Sequence, residues 1–265
     1  MYQSPQAIQA VCLWRFARHY NRSESTRVRL LIEDRVNTST SIVIGIALFG
    51  GAGLLAMQEG PAVGIDHVIL GINDLDRGMR EFESKTGVSP KRGGEHPGRG
   101  TENALVALGG SRYLEILAPT KAQQPSAPRD PRTEHTELTL AGWALHTRAI
   151  ANIVEQVRSA GIEIQGPTPG SRRTPDGTLL AWQSAAVDQL GVTPFFIEWS
   201  KDTPHPSTTA PSGCTLVTME LEHPSPERLQ LLLKTVRLPM KVSKSERSGM
   251  KVTLDCPRGR VEFRS

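Results

Sequence analysis

Aromatic residues make up only 5% of the chain, so it offers no ladder of rings on which single-stranded nucleic acid would stack. Its three cysteines, Cys12, Cys214 and Cys256, form no Cys-x-x-Cys pair, which removes zinc fingers and thioredoxin-type redox motifs. There is no Gly-x-Ser-x-Gly elbow and no cysteine in a protease-like setting, so the familiar acyl-transfer nucleophiles are missing. The glycines of Phe49-Gly50-Gly51-Ala52-Gly53 are followed by no Lys-Ser/Thr and sit in no strand–helix frame, so they are no phosphate loop. The longest charge-free apolar run, Ile42 to Met57, falls short of the ~20 residues that a membrane helix needs.

A net charge of +4 and an isoelectric point near 9.1 suggest a polyanion partner, but the charge is uneven. Residues 1–37 carry Arg15, Arg18, Arg22, Arg27, Arg29 and Arg35 against Glu24, Glu33 and Asp34, which leaves little net charge downstream. The basic character belongs to this leader, and no nucleic-acid partner is expected. The apolar run behind the leader has the length of a signal-peptide core, and Gly60 and Ala62 suit cleavage after Ala62. A second reading is an uncleaved anchor, associating with a membrane through residues 42–57 and leaving its arginines inside. A third is a buried element of a cytoplasmic protein. Export would allow Cys214 and Cys256 to pair; two separate buried thiols are the alternative.

From Ile65 onward one unit recurs. Ile65–Ile72 is rich in β-branched residues and reads as a strand. Asn73-Asp74 offers a cap for a helix with Leu75, Met79 and Phe82 at helical spacing, closed by Gly87. After a loop at Gly93–Gly100 come strands Ala104–Leu108 and Tyr113–Leu117, joined at Gly109-Gly110. The order then repeats. Leu138–Thr147 is a strand, and Ile150–Ala160 a helix with Ile150, Ile153, Val154 and Val157 on one face. Strands Ile162–Ile164, Leu179–Gln183 and Phe195–Trp199 follow, with Gly166–Gly177 as a long loop or wide hairpin. A smaller third copy follows the Pro/Ser/Thr-rich linker 203–213, with Ser225 as cap and Pro226 as first residue of its helix. The expected organisation is a basic leader over 1–41, an apolar signal or anchor segment over 42–62, a two-module domain over 63–202, the linker, and a partial third module over 214–265. The fold class is α+β: one such unit cannot bury both faces of its sheet, so the repetition predicts a composite architecture.

The motifs Ile65-Asp66-His67-Val68, His96-Pro97-Gly98-Arg99-Gly100-Thr101-Glu102-Asn103 and Tyr113-Leu114-Glu115-Ile116, in that order, resemble the glyoxalase-like branch of the vicinal-oxygen-chelate superfamily. The resemblance covers about 64–200. It implies paired βαβββ modules forming an open cupped sheet, with a divalent metal inside the cup. Carried over by position, His67 matches the first-strand ligand, Glu115 the last-strand ligand of module one and Glu198 that of module two. An imidazole and two carboxylates suit Zn, Mn, Ni or Fe. Where module two should supply a fourth ligand, the register places Gly142 or Trp143, and neither binds metal; His146 substitutes in only one register. His96, in its Pro-Gly loop, is a candidate proton-transfer residue beside Glu115, and Thr101, Asn103, Trp143 and Trp182 are candidate substrate contacts.

The resemblance therefore implies a metal-dependent isomerase or lyase acting on a small oxygenated molecule, with a homodimer as one assembly. The gap in module two keeps a second reading open, a metal-free protein that binds or sequesters a small ligand. Arg172-Arg173 is either a loop tip or an anchor for an acidic group of that ligand, with the tip favoured. His205, which precedes a proline, and the charged segment 129–137 read as exposed.

Overall fold

A computed structural model describes residues 63–121, 130–187 and 192–265. The expectations for residues 1–62 lie outside these. Among the described residues no helix is long and apolar enough to cross a membrane.

Module one runs β1 (Gly64–Gly71), α1 (Leu75–Thr86), β2 (Lys91–His96), β3 (Thr101–Ala107) and β4 (Tyr113–Pro119). Module two repeats it as β5 (Thr139–His146), α2 (Ile150–Ser159), β6 (Ile164–Arg173), β7 (Leu179–Val187) and β8 (Phe195–Trp199). Within each module the first strand runs parallel to the last, β1 with β4 and β5 with β8. The modules meet twice: β1 pairs antiparallel with β5 over most of its length, and β2 touches β6 at Glu95 and Arg173. The eight strands thereby curl into a barrel-like cup in the order β1-β4-β3-β2-β6-β7-β8-β5.

Local signals account for the helices. Asp74 caps α1 by accepting from Arg77 N at 2.8 Å, and Gly87 closes it at φ 78°, a left-handed turn that costs glycine no Cβ clash. On α2 the buried residues are Ile150, Ile153, Val154 and Val157, the stripe expected from the sequence. Its own cap, Ala149, has no side chain to offer the first amides, and that need is met from β8, as described below.

The segment Gly93–Gly100, read as a loop, begins within a strand. Residues 91–96 form β2 because Gly93 and Gly94 let it lie close between its neighbours: a Cβ on Gly93 would strike Asn103 Oδ1, and one on Gly94 the carbonyl of Arg173. The wide-hairpin reading of Gly166–Gly177 is the right one, since β6 and β7 pair along most of their length and turn at 174–178.

The third unit has the same element order, β9 (Thr215–His223), α3 (Glu227–Thr235), β10 (Val242–Lys244), β11 (Gly249–Cys256) and β12 (Gly259–Arg264), but different pairing. Its sheet runs β10-β9-β11-β12, so its first strand does not meet its last. The helix starts at Glu227 with Pro226 as the cap residue, one position later than the sequence suggested. This unit packs on module one through Phe82 and Phe263, whose stacked rings lie 5.8 Å apart, and through Arg258 N donating to Thr86 O at 3.1 Å.

The main core lies outside the cup, where Val68, Leu70, Leu114, Ile116, Trp143, Leu145 and Phe196 face the helices and the third unit. Cys214 and Cys256 are joined in a disulfide that closes a 42-residue separation and ties the end of the linker to β11. Closing a loop of that length restricts the unfolded chain. The double variant Cys214→Ser/Cys256→Ser is expected to lose ~2–4 kcal/mol of unfolding free energy, read by urea titration; an unchanged midpoint would show that the bridge contributes nothing.

Candidate active site

Strand alternation decides which residues see the cup. On β4, Tyr113, Glu115 and Leu117 line a cavity of about 290 Å³ while Leu114 and Ile116 join the outer core. His67 on β1, His96 at the end of β2 and Thr101 and Asn103 on β3 line the same cavity. His96 is thus the last residue of a strand, not part of the loop that follows it.

Glu115 is the centre of the cluster. His67 Nε2 lies 3.7 Å from its Oε2, His96 Nε2 lies 3.7 Å from its Oε1, and the Asn103 amide donates to Oε1 at 2.6 Å. Burial alone would raise this carboxyl, but His96, His67, the Asn103 hydrogen bond and Arg132 outweigh it, and its pKa is held below the ordinary range. Glu115 is therefore a carboxylate at neutral pH.

The two imidazoles are oriented from behind. His67 Nδ1 is 2.7 Å from Asp66 Oδ1, so the Nδ1–H donates to the carboxylate and leaves Nε2 facing the cavity. His96 Nδ1 lies 2.9 Å from Thr101 Oγ1, and the Asn103 amide approaches its Nε2 at 3.4 Å, which assigns the proton to Nδ1 here too. Burial lowers the His96 pKa to about 4, with Arg172, Arg99 and Arg132 acting in the same direction against Glu115; His96 is neutral at pH 7.

Asp66 is fully buried and holds a second network. Its Oδ2 receives Trp199 Nε1 at 3.2 Å and His205 Nε2 at 3.2 Å. Burial would raise its pKa; the bonds from His205 and His67 reverse this and place it far below the usual value. A break in the β1–β5 register between Ile65 and His67 lies at Asp66, beside the histidine that it orients. Tyr113 stacks on His67 with ring centroids 4.5 Å apart, and burial with the nearby Asp66 and Glu115 charges keeps its phenol protonated.

Module two supplies a different wall. Trp182, Phe195, Ile197 and Trp199 line the cavity, and Ala144, which pairs with His67, belongs to this apolar group. Two expectations are corrected here. Glu198 does not join the cup: it alternates with Ile197 and Trp199, points the other way, and accepts from Ile150 N at 2.8 Å, capping the helix that has no cap of its own. Trp143 is no ligand contact either: it is 1% exposed in the outer core, with its indole N–H donating to Val192 O at 3.0 Å.

A divalent metal does not suit this donor set. Module two contributes no ligand, because Ala144 and Ile197 fill its cup-facing positions and Arg132 crosses bare Gly142, its Cδ 3.8 Å from where a Cβ would stand. The Asn103 amide protons are aimed at the lone pairs of Glu115 and His96 that a cation would need. Arg99, Arg132 and Arg172 add positive charge to the same cavity. Among the described residues no group of three or more His, Cys, Asp or Glu side chains is placed to hold a metal ion.

His67, Glu115, His96, Thr101, Asn103 and Trp182 of the sequence-derived set thus share one cavity. Missed were Asp66, although it stands in the first motif, and Tyr113, in the third. Arg132 and His205, assigned to exposed segments, are drawn in by Asp130 and Asp66 respectively. Arg172 is no loop tip; it is 2% exposed in the wall of β6.

A family model described as a glyoxalase-like domain matches residues 65–236. Comparison with curated proteins yields no match. Among solved structures, a hypothetical protein from Staphylococcus aureus is 20% identical over 77% of this chain and 85% of its own, with a TM-score of 0.54, which supports likeness of fold. Methylmalonyl-CoA epimerase from Mycobacterium tuberculosis is 17% identical over 52% of this chain and 88% of its own, with a TM-score of 0.35.

Replacing the buried Asp66 by Asn removes the charge and turns one of its two acceptor oxygens into a donor, so that either His67 or the Trp199–His205 pair loses its acceptor, and is expected to cost ~3 kcal/mol of stability at pH 7. The native carboxyl is depressed, so its contribution is full above the unfolded pKa of about 3.9 and is lost as pH falls through the folded value. The gap between wild type and Asp66→Asn in chemical denaturation should therefore narrow below pH ~4; a gap that stays constant there would refute the assignment.

Proposed function

This chain belongs to the glyoxalase-like domain family of the vicinal-oxygen-chelate superfamily, and from that membership and the chemistry of its cup we propose that it is an enzyme moving a proton on a small oxygenated molecule. The observation that carries the reading is the convergence of two oriented imidazoles on the two oxygens of one buried carboxylate in the cavity lining. His67 Nε2 accepts a proton from carbon or oxygen of the substrate. Asp66 at Nδ1 and Glu115 beside Nε2 stabilise the imidazolium that results, as a carboxylate does for the histidine of a hydrolase triad. His67 returns that proton to the neighbouring atom of the same molecule, so that the histidine ends as it began, while His96, neutral with its proton on Nδ1, stands beside the other Glu115 oxygen. The reaction class is isomerisation, epimerisation or elimination next to a carbonyl. The aromatic wall excludes water and holds the rest of the molecule, and 290 Å³ restricts it to a small one.

Metal dependence, implied by the sequence resemblance, is the competing form of this reading. The donor set argues against it, as does the positive lining. The disulfide supports an exported location, since such bonds persist in oxidising compartments, in keeping with the signal or anchor reading of residues 42–62.

The test is deuterium incorporation next to the carbonyl, followed by NMR in D2O, over a panel of small α-keto and α-hydroxy carbonyl compounds. The protein is first dialysed against a chelator. Wild type is expected to exchange at least one panel member, and His67→Gln and Glu115→Gln to lose ~10²–10⁴-fold in rate with retained folding. Exchange that returns only on adding zinc, manganese, nickel or iron would overturn the metal-free form. Tight binding of panel members without exchange would convert the enzyme into a sequestering protein.

A further inference from the structure

Resting on that reading, we propose that the substrate is a monoanionic carboxylate with an apolar tail, its carboxylate held by Arg172 and its tail laid against Trp182, Phe195 and Trp199.

Arg172 is the side chain that the described structure leaves electrically incomplete. It is 2% exposed, lines the cavity, and its guanidinium donates to one backbone carbonyl, that of Gly93. Among the described residues it forms no ion pair. Two further guanidiniums line the cavity: Arg99 is exposed, where water solvates it, and Arg132 is already neutralised, its Nε and Nη2 gripping both oxygens of Asp130 at 2.9 and 2.6 Å. A buried cation bonded to one neutral acceptor is costly, and burial lowers the affinity of Arg172 for its proton. An incoming anion removes that cost. A carboxylate is favoured among anions because its two coplanar oxygens match the guanidinium fork.

A second incomplete group belongs to the same site. Asn103 spends its amide protons on Glu115 and His96, and its Oδ1 is buried with no partner. That oxygen is packed against Gly93 of β2, so Asn103 presents its amide edge to the catalytic pair and is held in that orientation by the strand beside it. The indole rings of Trp182 and Trp199 meet edge-on with centroids 5.4 Å apart and Phe195 lies edge-on to His67, forming an aromatic surface with no charge on it. The aromatic groups of module two thus stand beside the imidazoles, Phe195 at His67 and Trp182 edge-on to His96 at 6.3 Å, within the same cavity that Arg172 lines.

Calorimetric titration of the full chain with three probes tests this: hydrocinnamate, its neutral amide, and phenethyl phosphate. Hydrocinnamate is expected to bind at least tenfold more tightly than the amide, because the amide leaves the guanidinium uncompensated. Arg172→Gln should abolish that preference while leaving amide binding within threefold, and Arg172→Lys, which keeps the charge without the fork, should retain part of it. Should Arg172→Gln fail to fold, the acid-to-amide ratio on wild type and Arg172→Lys still decides. Equal binding of acid and amide, no binding of hydrocinnamate at millimolar concentration, an unchanged preference in Arg172→Gln, or tighter binding of the phosphate would each overturn the carboxylate assignment. Loss of charge preference with deuterium exchange intact sinks this inference alone, whereas preserved preference without any exchange sinks the reaction alone.

Discussion

A buried carboxylate in the lining of the cup sets the terms for everything around it. Glu115 is 7% exposed, and an ionised acid in such a place needs partners for its charge and its lone pairs. The neighbouring strands surround it: the Asn103 amide donates to it, and an imidazole from β1 and another from β2 stand 3.7 Å from its oxygens. Each partner must in turn be aimed, so Asp66 fixes His67 and Thr101 fixes His96. Asp66 then requires its own donors, which come from Trp199 at the end of module two and His205 in the linker. Burial of one acid thus draws in both modules and the segment that leads to the third unit.

The two modules share a chain path and divide the chemistry. Module one lines the cup with His, Glu, Asn and Thr; module two answers mainly with Trp, Phe, Ile and Ala, and adds the one buried cation Arg172. Their pairing through β1 and β5 brings the two sets into one cavity, a lining matched to a molecule with one acidic end. The same alternation that turns Ile197 and Trp199 inward turns Glu198 outward to the start of α2. A residue type that reads as a ligand in a strand motif is there a helix cap, and the local deficit at Ala149 explains why.

The third unit shows that element order is a weaker constraint than pairing. It repeats strand, helix, three strands, yet β10 rather than β12 lies parallel to β9. No cup results. The unit instead covers the outer face of α1 through Phe263 and is tied to the linker by the disulfide.

Much of this was legible along the chain. The periodicity of Leu75 to Phe82 and of Ile150 to Val157, the glycine at 87, and the paired strand–helix–strand order are short-range properties that propensity and spacing express directly. His67, His96, Thr101, Asn103 and Glu115 share one cavity because inward faces follow from two-residue alternation once the strands are placed. What sequence could not decide depends on partners distant in the chain. Whether Arg172 is a loop tip or a buried cation turns on β6 pairing with β7 and β2. The inward pull on Arg132 and His205 depends on Asp130 and Asp66, and the direction of Glu198 on a register fixed by β7 and β5. Spacing carries the information for a helix or a strand, but a side chain's electrostatic surroundings exist only after the sheet has closed.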